Sequence, residues 1–187
     1  MYETRALDER TWPDFARLVE ANNGVWGGCW CMWYHGKDAS EVKSPVQKRK
    51  AKESLVREGR AHASLVFEGE DCVGWCQFGS SEELPRIHNQ RAYLATDPTL
   101  PDWRITCFFS DKGHRGKGVA SAALEGAIEQ IKKLGGGRVE AYPEDVEGRK
   151  ASSAFLFNGA LSMFERHGFK RSRQIGKHKW MVTRAVN

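Results

Sequence analysis

Arg115-Gly116-Lys117-Gly118 carries the densest chemical signal in the chain, two cations alternating with two glycines. Glycine lets a backbone turn sharply and lets another molecule approach the main chain closely. With a helix opening at Gly118, the N–H groups of its first turn point outward at the positive end of the helix dipole. Such a turn suits phosphate. Gly113 to Gly118 has the spacing of a G-x-x-x-x-G-K-[ST] loop, but Val119 stands where the lysine must be. A G-x-G-x-x-G turn starting at Gly116 would put Ser121 at the third glycine, with no βαβ unit behind it.

A turn of this kind needs a strand before it and a helix after it. Trp103–Phe109 packs the β-formers Ile105, Thr106, Phe108 and Phe109 into one short run. From Gly118 to Leu134, small and apolar residues (Ala120, Ala123, Leu124, Ala127, Ile128, Ile131) recur at spacings of three and four, the period of one helix face. Upstream, Tyr2–Leu7 reads as a strand. Thr11 with Asp14 reads as a capping box for a helix stopped by Asn23-Gly24, and Ser44-Pro45 opens a second helix stopped by Gly59. A hairpin follows, His62–Phe67 and Cys72–Phe78. Ser80–Pro101 reads as a long loop, Arg138–Tyr142 as a strand, Ala154–Arg166 as a helix and His178–Thr183 as a closing strand.

Arg115-x-x-Gly118-x-Ala120 resembles the pyrophosphate-binding signature [QR]-x-x-G-x-[GA] of the GNAT superfamily of N-acetyltransferases. A second stretch, Ala160 to Phe169, resembles the family ending N-x-x-A-x-x-[LF]-Y-E-[KR]-x-G-F, with two departures. Phe164 stands at the tyrosine, and Phe157 at the asparagine, with Asn158 one place later. The order β-α-α-β-β-β-α-β-α-β is that of the GNAT fold. The resemblance implies an α/β protein, a single domain over 1–187, with a central, mostly antiparallel mixed sheet flanked by helices.

The resemblance also implies acetyl-coenzyme A as cosubstrate and an amine as acceptor. Phe108, Phe109 and Ser110 would offer backbone groups to the pantetheine arm as an added strand does. His114, Arg115, Gly116, Lys117, Gly118, Val119 and Ala120 would hold the diphosphate, with Asn158 and Phe164 on the cofactor side of the second motif. Direct attack by the amine requires loss of a proton. Glu140 is the expected base, with Glu82 and Glu83 as alternatives. A phenyl ring at position 164 cannot donate a proton, which passes the acid role to Tyr142, Ser162 or water. Phe164 also leaves a second function open, a non-catalytic acyl-coenzyme A sensor.

Gly27 to His35 is an aromatic, sulfur-rich segment. Cys29, Cys31 and His35 could chelate zinc, but no second cluster supplies a fourth ligand. A cysteine nucleophile would lack an evident base. Packing, with Trp26, Trp30, Trp33 and Tyr34 as a flat wall for the acceptor, is the expectation, and no metal is expected.

Hydrophobic residues at 40% and charged residues at 28% are ordinary for a globular chain of 187 residues. The five cysteines lie in apolar segments, which suits reduced thiols, and the net charge of +5 suits a polyanionic ligand. Basic residues peak over Lys43–Lys52 with acidic neighbours and no interleaved aromatic, which reads as a solvated helix face rather than a nucleic-acid surface. No apolar run reaches membrane-spanning length and the first residues lack a signal-peptide core, so a cytoplasmic location without membrane partners is expected. A homodimer is compatible with the sequence.

Overall fold

The computed structural model describes residues 1–36, 41–96, 98–149 and 156–187. Its strands are β1 (Glu3–Ala6), β2 (His62–Glu68), β3 (Asp71–Ser80), β4 (Trp103–Ser110), β5 (Gly137–Ala141), β6 (Lys170–Gln174) and β7 (Trp180–Val186). They form one seven-stranded sheet in the order β1-β2-β3-β4-β5-β7-β6. Its helices are α1 (Trp12–Ala21), α2 (Pro45–Arg57), α3 (Gln90–Leu94), α4 (Val119–Lys133) and α5 (Leu161–Arg166). Among the described residues, β4 and β5 are the one parallel pair, and α4 is the crossover that such a pair requires. This is the mixed, mostly antiparallel sheet that the sequence implied.

The sheet separates two cores. On one face, Phe15 and Val19 of α1 pack with Trp30 against Leu65, Trp75 and Phe109. On the other, Ala123, Leu124, Ala127 and Ile131 of α4 pack against Val66, Ile105, Val139 and Val182. These α4 positions are those expected from the helical period.

Two features of β4 shape the site. It pairs with β5 only from Trp103 to Ile105, opposite Val139 to Ala141. Beyond that the two strands part. On its other edge, Gln77 of β3 faces Cys107 while Phe78 faces Ile105, so Thr106 is an extra residue, a β-bulge. The bulge resets the alternation of side chains. Ile105 and Phe108, three apart, share the α4 face, whereas Cys107 and Phe109 join the opposite core.

Several expectations need correction. Thr11 makes no side-chain cap of α1. Its hydroxyl donates to the Ala6 carbonyl (2.7 Å) and accepts from the Asp8 N–H (2.9 Å), so it ties the entering chain to itself. Ser80–Pro101 contains α3, and the single closing strand is a hairpin of β6 and β7. Of the expected helix Ala154–Arg166, the first two residues lie outside the described ones. Leu156–Asn158 is a 3-10 turn, and α5 begins only at Leu161. Lys52 is buried rather than solvated, because it shares the inner face of α2 with Leu55 and Val56.

Gly74 of β3 sets the depth at which α4 docks. A Cβ there would lie 2.5 Å from the Phe109 carbonyl oxygen and 2.5 Å from Val119 Cγ1, the first residue of the helix. No rotamer relieves a clash with backbone. Gly74→Ala is therefore expected to destabilise the fold by about 1–3 kcal/mol, the usual cost of overpacking. A lower urea midpoint at unchanged slope is the expected reading. An unchanged midpoint would show that the helix has room to shift.

Candidate active site

Two adjoining cavities open where β4 leaves β5. The first, about 210 Å³, is lined by Phe108, Phe109, Ser110, Arg115, Gly116 and Ala120, with Trp26 at its margin. The second, about 260 Å³, is lined by Trp26, Trp33, Tyr34, His88 and Phe157, together with the thiols of Cys29, Cys31 and Cys107. They share Trp26, and consecutive residues divide between them: Phe108 and Cys107, Leu156 and Phe157.

The turn that closes the first cavity has the backbone its glycines suggest. Gly116 (φ +72°) and Gly118 (φ +87°) lie in the left-handed region, and a Cβ on either would meet nothing within 4 Å. The space beside them is a cradle free of protein atoms. Gly118 is the N-cap of α4, and the first helical bond runs from the Ala122 N–H to the Gly118 carbonyl at 3.0 Å. The N–H groups of Gly118, Val119, Ala120 and Ser121 thus have no partner within the helix. With Arg115 at the rim, this cradle fits a phosphate-bearing group. Lys117 is exposed and outside the lining. His114 also lies outside it, held by Asp111 and Glu68 at 3.4 and 3.1 Å.

Asn158 governs the gap between the parted strands. Its amide nitrogen donates to the Thr106 carbonyl at the bulge and to the Tyr34 hydroxyl (2.7 Å), while its oxygen accepts from Lys179 Nζ (2.8 Å). Peptide groups alternate in direction along a strand, so Phe108 presents its backbone to the same open edge as Thr106. Asn158 is thereby a buried clamp, with its hydrogen-bonding capacity engaged inside the protein. Phe164 is fully buried against Phe108 and Phe169 and lines neither cavity.

Glu140 and Tyr142 do come together on one side of their strand, but not at the cavities. Glu140 has no exposed surface, and its carboxylate accepts from Tyr93 (2.9 Å), Tyr142 (3.1 Å) and the Arg138 guanidinium. Burial pushes the Tyr142 phenol well above its ordinary range. This arrangement is a satisfied buried network, and it gives a proton-transfer role at Glu140 no support. Glu82 and Glu83 line a separate cavity beside Arg60 and His62, where the Glu83 carboxylate takes the His62 N–H (3.0 Å) and ring (2.7 Å). Ser162 lies by Asp145 and Arg171, in yet another cavity.

Among the described residues no group of His, Cys, Asp or Glu is placed to hold a metal. His35 instead meets the buried Lys52 ammonium, Nε2 to Nζ 3.1 Å, and Lys52 also donates to Gln77 Oε1 at 2.8 Å. The Cys31 and Cys107 sulfurs touch at 3.3 Å, and all five cysteines are free thiols. Trp30 belongs to the core rather than the wall of the second cavity. Among the described residues no helix is long and apolar enough to cross a membrane.

His88 is the group that sequence reasoning missed. It stacks on Trp33 (centroids 4.2 Å apart, planes 7° apart) and lines the second cavity. Burial, and then the nearby charges of Lys179 and Arg86, hold its pKa below the ordinary 6.5, so the ring is neutral at pH 7. No spacing pattern marks it; only its place in the unassigned loop was visible.

The model of the acetyltransferase (GNAT) family matches residues 30–169, and the chain belongs to that family. An N-acetyltransferase of Staphylococcus aureus Mu50 superposes with a TM-score of 0.55 at 14% identity, over 100% of this chain and 99% of that one. The PaiA N-acetyltransferase of Thermoplasma acidophilum, solved in complex with coenzyme A, gives 0.54 at 16% identity, over 99% of each chain. At such identities the likeness is one of fold. No curated protein matches the chain in sequence.

Two imidazoles, buried His35 and half-buried His88, make stability depend on pH. Burial and the Lys52 charge hold His35 well below 6.5, and His88 is lowered too. As pH falls below about 6.5 the unfolded chain takes up these protons before the folded one, so stability is lost. Unfolding by urea is expected to need less denaturant at pH 5.5 than at 7.5, and His35→Gln to flatten that slope. Equal midpoints at the two pH values would contradict the placement of His35.

Proposed function

We propose that this protein transfers the acetyl group of acetyl-coenzyme A to a primary amine held in the second cavity. The observation that carries this reading is the adjacency of a phosphate cradle and an aromatic chamber along one unpaired strand edge. Family membership supports acyl transfer as the class of reaction. When bound, acetyl-coenzyme A supplies an acyl carbon activated by a thioester. The diphosphate is assigned to the Gly116–Ala120 turn, where several N–H donors and Arg115 share the charge. The pantetheine arm is assigned to the β4 edge at Phe108 and Ser110.

The chain's own groups then divide the chemistry. The Phe108 N–H faces the open edge, where a preorganised donor stabilises charge that develops on an acyl oxygen. Neutral His88, at the cavity wall, accepts the proton lost by the attacking nitrogen, the role first assigned to Glu140. Asn158 positions both sides by joining the bulge to Tyr34. A thiolate with an ordinary pKa near about 8.5 leaves without a dedicated acid, which removes the need for a hydroxyl at position 164.

Two variants test this reading. Gly118→Asp adds a carboxylate to a space free of protein atoms, at some cost in backbone strain at φ +87°, so it should abolish thermal stabilisation by acetyl-coenzyme A while circular dichroism still reports a folded protein. His88→Gln should keep that stabilisation and lower kcat by about a hundred- to ten-thousand-fold, the usual effect of losing a general base. Full stabilisation in the first variant, or full turnover in the second, would refute the corresponding assignment.

A further inference from the structure

We infer that the second cavity selects an arylamine, a flat amine that enters as the free base; this rests on the acetyltransferase reading above. Shape is the first reason. Trp33 and His88 lie parallel, while Tyr34 and Phe157 stand at 81° and 65° to the His88 ring. A chamber of about 260 Å³ walled by this stacked pair and two tilted rings offers chiefly ring edges to a planar amine.

Charge is the second reason. Aromatic walls ordinarily favour a cationic ligand, but here protein cations already use them. The Arg86 guanidinium sits 4.2 Å from the Trp33 centroid, and Lys179 Nζ 5.6 Å from that of Phe157. Among the described lining residues there is no carboxylate. The nearby acids are committed elsewhere, Glu144 to Lys179 at 3.0 Å and Glu140 inside its own network. An ammonium entering this chamber meets the Arg86 guanidinium and a Lys179 already paired with Glu144, and no lining carboxylate is left to receive it. Burial first, and then Lys179 and Arg86, lower the His88 pKa, with Glu144 acting the other way.

Proton transfer gives a third reason. Moving a proton from an alkylammonium, with a pKa near that of lysine, to an imidazole below 6.5 is unfavourable by roughly ten-thousand-fold. An arylamine avoids that step, because its lone pair is delocalised into the ring and carries no proton at neutral pH. Its nitrogen bonds to the acyl carbon and the carbon–sulfur bond breaks, with the electron pair staying on sulfur. His88 takes the proton released by nitrogen, and the sulfur, having left as a thiolate, is protonated from water. The products are an N-aryl acetamide and the free thiol of coenzyme A, and no oxidant or reductant is involved.

The test uses the full chain with coenzyme A bound, titrated with 2-naphthylamine or spermidine and followed by calorimetry. Acetyl-coenzyme A-dependent thiol release is then measured with each amine. Saturable one-to-one binding of 2-naphthylamine is expected, weakened at least tenfold by Trp33→Ala and by Phe157→Ala, both half-buried, with thermal stabilisation by coenzyme A retained. Spermidine should neither bind nor react. Acetylation of spermidine without that of 2-naphthylamine would overturn the arylamine assignment and leave the acetyltransferase reading intact. Naphthylamine binding unaffected by both variants would overturn it as well. Absence of any coenzyme A stabilisation in the parent protein would overturn the wider reading, and this inference with it.

Discussion

Beyond Ile105, β4 loses its strand partner on one edge, and the rest of the site depends on that loss. An unpaired strand edge inside a protein leaves backbone donors and acceptors that must be satisfied or face water. Here the Thr106 carbonyl is taken by Asn158, and the edge past it lies along the two cavities. A bulge at the same point turns Cys107 toward one core and Phe108 toward the other. One strand thereby serves two chambers. The helix that follows adds a second set of unpaired N–H groups, and Gly74 lets its first residue settle close against the sheet.

A second design runs beneath the aromatic chamber. Lys52, His35 and Gln77 form a buried polar chain, and Lys179, Asn158 and Tyr34 form another. Each ammonium is desolvated, and its pKa is lowered by that burial. Burying a charge is costly unless its hydrogen bonds are met. The partners of Lys52 are neutral groups, a histidine and a glutamine. Lys179 differs, because the Glu144 carboxylate meets it at 3.0 Å.

What could be read from sequence was local. The glycine turn, β4 and α4 were legible because positive φ and a 3.6-residue period are properties of neighbouring residues. The pairing of Glu140 with Tyr142 was legible as a two-residue alternation, but their burial beneath Tyr93 of α3, away from the cavities, is set by tertiary packing. Lys52 was hidden by its own cluster of charges, although its spacing to Leu55 and Val56 placed it on the inner face. β6 was illegible for a plain reason: Lys170, Arg171, Ser172 and Gln174 are exposed, and an edge strand with no buried face shows no alternation. His88 carried no signal beyond its type. Its role depends on Trp33, brought from a segment more than fifty positions earlier.

The central claim is that the open β4 edge and the first turn of α4 form one continuous binding surface. Amide hydrogen exchange measured with and without acetyl-coenzyme A tests it most directly, residue by residue. Slower exchange is expected together at Phe108, Ser110, Gly116, Gly118, Val119 and Ala120, with little change in β1 or β6. Protection confined to other segments, with these six amides exchanging as in the free protein, would contradict it.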